Sequence, residues 1–346
     1  MKTKAWVLTK SSSPLELREV EIPRLEKGQT LVKILYSGIC HTQLNQINAL
    51  KGVDKNIPRT MGHEGSGFVE EIGEGVTKIK PEDYVVLSWL KGAGLEKKSS
   101  TYLCKDEKIN SGPVSTFMER AVVAEANLVK LRNEATPPHV AALLGCAVPT
   151  GMGMVFHLLD EEPGSIAIYG MGGVGSTSLL AAQVRGYAPI FAIDIYDHKL
   201  QHARSLGATY VINANRLNPL EEILRLTDGK GVDYAIECSG NARVMEMAFS
   251  SLKNKGKAVI AGNVKSGEMI SINPHELNMG KKLFGTFGGD ARIEEDIPFY
   301  EQIYHQGKIP IEKLISKIYG FNEVNTALSA LEKSEICRPI IEISPK

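Results

Sequence analysis

The apolar residues follow two different patterns along the chain, and the change comes near Pro163. Before that point, short β-branched runs alternate with turns that contain glycine and proline, as at residues 31–35, 67–72 and 84–87. Short runs between such turn residues predict an irregular, mostly β domain.

After Pro163, continuous apolar runs alternate with helical segments. We predict buried strands at residues 165–169, 189–193, 210–212, 232–236 and 258–261. We predict helices that begin near residues 174, 197, 219 and 241. Strands and helices at this spacing indicate parallel βαβ units with both faces of the sheet covered. The sequence therefore predicts an α/β protein, in which a β-rich part precedes a doubly wound parallel-sheet part and a mixed tail follows.

The composition is that of an ordinary soluble protein with about two domains in its 346 residues. Because 40 Lys and Arg residues balance 40 Asp and Glu residues, no net field gathers nucleic acid or an anionic membrane, and we expect neither as a partner. Five cysteines do not make a disulfide framework and favour a reducing, cytoplasmic location. The first residues lack the apolar stretch of a secretory signal, and the apolar region 139–159 is interrupted by glycine and proline, so we expect it to be buried.

A glycine-rich turn with the pattern GxGxxG follows the first strand of the second part. It consists of Gly170, Met171, Gly172, Gly173, Val174 and Gly175. Gly170 permits a tight turn, Gly172 lets the backbone approach a pyrophosphate, and Gly175 allows close contact of helix and strand, while the helix N-terminus offers free N–H groups to the phosphates. Asp194 ends the second strand, where a carboxylate would bind the ribose hydroxyls and repel a 2′-phosphate. We predict NAD as the cofactor; the alternative is a structural glycine turn with a helix-capping Asp.

Cys40, His63 and Cys146 stand out by their glycine-rich surroundings. Taken singly, a cysteine in an apolar segment is most often a small buried hydrophobe, and a lone histidine is most often a core residue. Two Cys and one His are nevertheless the ligand set of a catalytic zinc, in which a fourth position stays open for water or substrate. Their separation in sequence excludes a zinc finger and does not by itself establish a site.

Five motifs occur in a fixed order: GICHT at 38–42, GHEGSG at 62–67, GCAVPTG at 145–151, GMGGVG at 170–175 and FGG at 287–289. Together they resemble the zinc-dependent alcohol dehydrogenases of the medium-chain dehydrogenase/reductase family, over nearly the whole chain. The resemblance implies a GroES-like β-rich catalytic domain at residues 1–147 and 287–346 and a Rossmann NAD-binding domain at residues 148–286. It also implies a homodimer or homotetramer.

The resemblance further implies roles for single residues. Cys40, His63 and Cys146 match the zinc ligands, and Thr42 matches the hydroxyl that takes the substrate proton. Glu64 matches a carboxylate that transiently replaces water on the metal; the alternative for Glu64 is an ion pair with a nearby Arg or Lys. The positions that match cofactor contacts are His41 and Arg338 at the pyrophosphate, Thr150 at the nicotinamide ring, the Phe287 backbone at the carboxamide, and Lys199 at the adenosine ribose.

Three departures from the family pattern change the expectation. Many members carry a four-cysteine structural zinc lobe where this chain has Gly92 to Ser100 with only Cys104 nearby, so we predict one zinc per chain. The Asp that usually orients the zinc-ligating His is Gln43, and the His that often relays protons is Asn45. Trp89 occupies a position beside the metal and either narrows the substrate pocket or packs in the core.

We therefore expect an oxidoreductase that interconverts a small-molecule alcohol and an aldehyde or ketone by hydride transfer to or from NAD. Two alternatives remain at this point. One is a zinc-free reductase of the same family, of the quinone or enoyl type. The other is a dinucleotide-binding protein that kept the fold and lost turnover.

Overall fold

The structure, a computed structural model, describes residues 1–50, 52, 54–97 and 99–345. The chain divides into two compact units, one formed by Met1–Ala147 with Arg292–Lys346 and the other by Val148–Ala291. We expected residues 287–291 in the first unit, but they belong to the second. The reason is close backbone packing, since a Cβ on Gly289 would lie 2.3 Å from the carbonyl oxygen of Thr150.

The first unit opens with a closed barrel and a larger sheet. Its strands up to the domain boundary are β1 (Lys2–Leu8), β2 (Glu16–Glu21), β3 (Gln29–Gly38), β4 (Arg59–Thr60), β5 (Glu64–Ile72), β6 (Tyr84–Ser88), β7 (Thr101–Cys104), β8 (Glu107–Asn110), β9 (Arg120–Ala124) and β10 (Leu128–Lys130). Its helices there are α1 (His41–Ile47) and α2 (Pro138–Leu143). The barrel contains β1, β2, β7, β8 and β4, and the sheet contains β10, β6, β5 and β3, with β9 also paired to β3. This architecture confirms the predicted β-rich domain.

The second unit is a six-stranded parallel sheet with helices between the strands. Its helices are α3 (Ala147–Gly153), α4 (Gly173–Val184), α5 (Asp197–Ser205), α6 (Pro219–Leu226), α7 (Ala242–Ser250) and α8 (Pro274–Asn278). Its strands are β11 (Ile166–Tyr169), β12 (Ile190–Asp194), β13 (Tyr210–Asn213), β14 (Val232–Glu237), β15 (Leu252–Ile260) and β16 (Lys282–Gly285), in the order β13-β12-β11-β14-β15-β16. Every residue of β11 is buried, as a sheet covered on both faces requires. The predicted doubly wound parallel sheet is confirmed.

The chain then returns to the first unit. The returning elements are α9 (Ile293–His305), β17 (Lys317–Gly320), α10 (Val324–Glu332) and β18 (Pro339–Glu342). Strand β18 pairs antiparallel with β3, so that Ile341 lies opposite Ser37, and β17 extends the sheet beyond β18. The return therefore places Arg338, which directly precedes β18, at the end of β3. Among the described residues, no helix is both long enough and apolar enough to cross a bilayer.

Residues 91–97 fall in the region where the sequence departs from the resembled family, and two carboxylates, the buried Glu125 and the half-buried Glu294, contact them. The carboxylate of Glu125, which is 1% exposed, accepts hydrogen bonds from the backbone N–H groups of Thr77 (2.7 Å), Lys78 (2.5 Å) and Leu95 (2.8 Å). Burial opposes ionisation of Glu125, but these backbone hydrogen bonds outweigh it and lower the pKa of the carboxyl group. One ionised side chain thus joins the segment to the loop at residues 77 and 78.

A second carboxylate contacts the same segment from the returning part of the chain. Glu294 accepts a hydrogen bond from the Ala93 N–H at 3.0 Å and a charged one from Lys78 Nζ at 2.7 Å. Lys78 Nζ also donates to the Ala93 carbonyl oxygen at 2.6 Å. Charged hydrogen bonds are the stronger kind in proteins, so this pair fixes the segment without a metal ion.

We predict that Glu125→Ala lowers the free energy of unfolding by about 2–4 kcal/mol, because three backbone N–H groups lose a charged acceptor. A folded-state pKa below the unfolded value gives stability that is present at neutral pH and lost as the pH falls below about 4. The difference between wild type and variant should therefore shrink in acid. Urea unfolding at pH 7 and pH 3 measures this difference in the free energy of unfolding.

Glu96→Ala is the control for this prediction, because Glu96 lies in the same segment but makes only an exposed ion pair with Lys91. Equal loss of stability in the two variants would contradict the role given to Glu125.

Candidate metal and cofactor site

Three segments of the first unit bring Cys40, His63 and Cys146 together. Cys40 is the N-cap residue of α1 just after β3, and His63 directly precedes β5, which pairs with β3. Gly145 allows the third segment to approach, since a Cβ there would lie 2.3 Å from the Leu87 carbonyl oxygen. The two Sγ atoms and a ring nitrogen of His63 all lie within 4.8 Å of one another, with His63 Nε2 3.3 Å from Cys146 Sγ. In the part of the chain that the structure describes, this is the only such group of metal-binding side chains.

The pKa values of the two thiols are shifted in opposite directions. The hydrogen bond with Cys146 lowers the pKa of Cys40 against the effect of burial, and His63 and Arg338 lower it further. The same thiol–thiol hydrogen bond and burial raise the pKa of Cys146. Metal ligation needs both sulfurs as thiolates and releases the protons. Two sulfurs and one imidazole at this spacing fit zinc, with the fourth tetrahedral position left for another ligand.

Gln43 connects two of the three proposed ligands. Its Oε1 atom accepts a hydrogen bond from the Cys40 backbone N–H at 2.8 Å, and its Nε2 atom makes a short contact with His63 Nδ1. The carbonyl oxygen of Gln43 thus accepts the Cys40 amide, and the amide nitrogen is the atom that faces the His63 ring. The side chain is fully buried, so water does not compete for either bond.

Glu64 and Arg338 form a buried ion pair beside the ligands. Arg338 Nη2 contacts Glu64 Oε1 directly, and the two residues are 3% and 0% exposed. Burial raises the pKa of Glu64, and the positive charge of Arg338 opposes that shift. The structure therefore shows the ion pair that was the alternative for Glu64, while its predicted transient contact with the metal stays a prediction.

This ion pair also contacts the segments of the other two ligands. Arg338 Nη1 donates to the carbonyl oxygen of Ile39 at 3.1 Å, and Glu64 Oε2 accepts from the Ala147 N–H at 3.3 Å. Those residues adjoin Cys40 and Cys146. Arg338 is therefore engaged within the first unit, and its expected contact with a pyrophosphate stays a prediction.

Thr42 and His41 lie at the first turn of α1, where both are exposed. Thr42 Oγ1 lies 3.6 Å from Cys40 Sγ, so its hydroxyl group is next to the ligand group. Their predicted roles, as proton acceptor and pyrophosphate contact, stay predictions.

The glycine turn of the second unit has the geometry that its sequence predicts. Gly170 has a φ of +90°, a conformation that favours glycine. A Cβ on Gly175 would lie 1.9 Å from the Gly170 carbonyl oxygen, which shows how closely helix α4 approaches β11. Gly172 is the N-cap of α4 and has open space where a Cβ would project, so a phosphate can approach the helix that Gly173 and Val174 begin.

Asp194 lies at the end of β12 and holds the same turn. Its Oδ2 atom accepts a hydrogen bond from the Met171 N–H at 2.7 Å, and its Oδ1 atom accepts from the Ile195 and Tyr196 N–H groups. Lys199 is only 7% exposed, with Nζ 4.7 Å from the centre of the Tyr196 ring. The structure thus brings the glycine turn, Asp194 and Lys199 to one end of the parallel sheet.

Thr150 and Phe287 also belong to the second unit. The Oγ1 atom of Thr150 is buried and has no hydrogen-bond partner among the described residues. A bound ligand with a polar group would satisfy that hydroxyl. Phe287 is 75% exposed and precedes the turn whose Gly289 packs on Thr150. Both positions fit the predicted cofactor contacts, which stay predictions.

Sequence analysis missed Glu237, the last residue of β14. Its Oε1 atom accepts hydrogen bonds from Ser239 N–H (2.6 Å), Ser239 Oγ (2.5 Å) and Gly240 N–H (2.9 Å). The loop so held is close to the glycine turn, since a Cβ on Gly170 would lie 2.9 Å from the Ser239 nitrogen. Glu237 therefore fixes the backbone at Ser239 and Gly240, next to the glycine turn. An acidic residue at the end of a buried strand, followed by Ser and Gly, is the signal that identifies it.

Comparison with known proteins gives two family matches: the alcohol dehydrogenase GroES-like domain at residues 26–133 and the zinc-binding dehydrogenase domain at residues 173–302. Alcohol dehydrogenase class-3 of Myxine glutinosa is 33% identical over 371 aligned residues, covering 98% of this chain and 97% of that protein. An S-(hydroxymethyl)glutathione dehydrogenase of Escherichia coli O6:H1 is 32% identical, covering 99% and 100%.

Solved structures agree with these matches. The crystal structure of benzyl alcohol dehydrogenase from Acinetobacter calcoaceticus superposes with a TM-score of 0.91 at 30% identity, covering 99% of this chain and all of that one. These full-length matches place the chain in one family. The order of motifs, the two folds and the cluster of Cys and His residues agree with that assignment. It belongs to the zinc-dependent alcohol dehydrogenases of the medium-chain dehydrogenase/reductase superfamily, which are NAD-linked oxidoreductases.

Proposed function

We propose that this protein oxidises an alcohol to an aldehyde or ketone, and catalyses the reverse reduction, with zinc and NAD. The observation that carries the proposal is the convergence of Cys40, His63 and Cys146 within 4.8 Å. A zinc-free reductase would not need two sulfurs and one imidazole at this spacing. The set therefore favours the dehydrogenase over both alternatives, the reductase and the protein without turnover.

Cys40, His63 and Cys146 would hold the zinc ion. Bound there, zinc acts as a Lewis acid that lowers the pKa of an alcohol at its open position. The protein's own contribution is to keep the three donor atoms in place and to limit access of water. Burial of Cys146 and of the neighbouring Glu64 supports this, because charge interactions strengthen where water is excluded.

Gln43 is the residue that orients His63 for this role. Its amide spans from the Cys40 backbone to Nδ1 of His63, which leaves Nε2 directed at Cys146 Sγ. A histidine that binds a metal through Nε2 carries its proton on Nδ1, so the Gln43 amide would present its oxygen to that N–H when zinc is bound. A neutral amide in this position gives a less basic ligand than a carboxylate would.

The second unit would hold the dinucleotide, whose nicotinamide ring accepts or donates the hydride. The glycine turn and the start of α4 suit its pyrophosphate, and Thr150 suits a polar group of the nicotinamide end. Asp194 has its carboxylate fixed by Met171 and would repel a 2′-phosphate, which favours NAD over NADP.

The substrate proton would pass to Thr42, whose hydroxyl lies 3.6 Å from Cys40 Sγ. Asn45 cannot continue a proton relay, because its amide does not ionise near neutral pH. The exposed side chain of His41 or a chain of water molecules would carry the proton to solvent instead. Relatives are named for benzyl alcohol and S-(hydroxymethyl)glutathione, so primary alcohols are the first substrates to test.

We expect one zinc per chain and NAD reduction with a primary alcohol, at a rate with NADP at least tenfold lower. Cys146→Ser should lose both zinc and turnover, because a serine hydroxyl is a poor zinc ligand. Cys104→Ser is the matched control, since Cys104 lies in β7 away from the ligand group, and it should keep both. Metal analysis and the absorbance of reduced NAD measure the outcomes, and a zinc-free protein that still turns over would contradict the proposal.

We expect Gln43→Ala to weaken zinc binding by about 10–100-fold, because His63 loses the partner of its Nδ1 atom. Competition with a chelator measures zinc affinity directly, without reference to activity. Gln46→Ala, in the same helix, is the control and should bind zinc like the wild type. An unchanged affinity in the Gln43 variant would remove the orienting role.

We also infer a cytoplasmic homodimer or homotetramer, because closed symmetric oligomers are the commonest state of soluble oligomeric proteins. The edge strand β16 and the exposed apolar side chains of Met269, Leu277 and Met279 offer a surface for such contact in the second unit. Light scattering should give two or four times the 37.7 kDa of one chain. A monomer at micromolar concentration would contradict this.

A further inference from the structure

A pocket of about 220 Å³ lies in the first unit, and none of the proposed metal or cofactor residues lines it. Its polar lining includes Asn56, Arg59, Ser100, Thr101, Asn110 and Ser111. No acidic side chain lines it, and Arg59 is its one charged residue among those described. We propose that this pocket binds a small oxyanion, a phosphate or a carboxylate group, through Arg59.

Backbone pairing joins the segments that form the pocket. Arg59 in β4 pairs with Asn110 at the end of β8. The floor is a reciprocal pair, in which Ser111 N–H donates to the Ser100 carbonyl oxygen at 3.0 Å and Ser100 N–H donates to Ser111 Oγ at 2.9 Å. The floor is buried, whereas Asn56 and Thr101 at the rim are exposed. A ligand therefore has an open entrance and a fixed base.

One nitrogen of the Arg59 guanidinium group has no hydrogen-bond partner among the described residues. The Nη1 atom of Arg59 donates to Asp54 Oδ2 at 2.7 Å, but its Nε atom is buried and has no hydrogen-bond partner among the described residues. A buried cationic N–H without a partner is unfavourable, so a ligand or water is expected there. Nη2 lies beside Gly112 of the pocket lining, 3.0 Å from where a Cβ of that residue would be, and can donate a charged hydrogen bond to an oxygen of a carboxylate or phosphate.

The other donors of the pocket suit the same ligand. Ser100 Oγ accepts a hydrogen bond from Gln29 Nε2 at 3.0 Å, which leaves its own O–H to donate to another acceptor. The volume is below the roughly 300–1,000 Å³ of sites for drug-sized molecules. Because the charge of Arg59 is already paired with Asp54, binding depends on hydrogen bonds from Arg59 and the serines, which suits a single small anionic group and not a polyphosphate.

The test is calorimetric titration of inorganic phosphate into the zinc-loaded full chain, at constant ionic strength with chloride as the reference anion. Saturating NAD is present throughout, so that the glycine turn is filled and does not bind phosphate. We expect one saturable site per chain, weakened at least tenfold in Arg59→Gln. Arg18→Gln is the matched control, because Arg18 is also a partly buried arginine in ion pairs of the same barrel and should change nothing.

A second variant tests the same pocket in case Arg59→Gln does not fold. In Gly112→Ala the new methyl group would lie 3.0 Å from Arg59 Nη2 and narrow the pocket without removing the charge. It should also weaken phosphate binding. Absence of a saturable site in the wild type, or equal binding in wild type and Arg59→Gln, would overturn the proposal.

Two further measurements show whether the anionic group is part of a substrate or a free anion. If the anionic group belongs to a substrate, Arg59→Gln raises KM for a carboxylate-bearing alcohol and not for a neutral one of similar size. If the site takes a free anion, neither KM changes while phosphate binding is still lost. Since phosphate binding is measured without turnover, its failure is distinct from failure of the dehydrogenase proposal.

Discussion

The buried ion pair of Glu64 and Arg338 is the interaction on which the ligand cluster depends. Glu64 follows His63 in sequence, Arg338 donates to the carbonyl oxygen next to Cys40, and Glu64 accepts from the amide next to Cys146. One carboxylate and one guanidinium group thus contact all three ligand-bearing segments. Removal of one partner from a buried pair leaves an uncompensated charge, typically at a cost of about 3–5 kcal/mol. The pair therefore couples the folding of the first unit to the geometry of its proposed metal site.

Carboxylates also hold the segment at residues 91–97 of the first unit. A structural zinc site fixes a loop because its thiolate ligands converge on one ion. Here backbone N–H groups donate to one acceptor group, the carboxylate of Glu125, and the Lys78–Glu294 pair contacts the same segment. Such an arrangement needs no metal and no cysteine, which agrees with the single thiol of this region, Cys104.

The sequence allowed β11 to β14, part of β15 and helices α4 to α7 to be predicted, because β11 and its neighbours are continuous apolar runs and Gly170 and Gly175 occupy positions that only glycine fits. It did not predict β16, or that β15 begins at Leu252. Other features depend on contacts between distant residues. A carboxylate at position 64 is compatible with either a metal ligand or an ion pair, and its partner Arg338 is 274 residues away. The orientation of the Gln43 amide and the packing of Gly289 on Thr150 likewise follow from tertiary contacts, which no local pattern encodes.

The neutral side chain of Gln43 affects the charge of the proposed metal site. With zinc bound, the positive charges of the ion and of Arg338 would balance the two thiolates and Glu64. The Asp that the family usually carries at position 43 would add one negative charge to this group. Gln43 supplies the contact that holds the His63 ring without adding that charge. Glu64 is fully buried, and its burial already raises its pKa, so it depends on the positive charge of Arg338. In this chain the charge pairing beside the ligands therefore rests on Glu64 and Arg338, and Gln43 acts through hydrogen bonds alone.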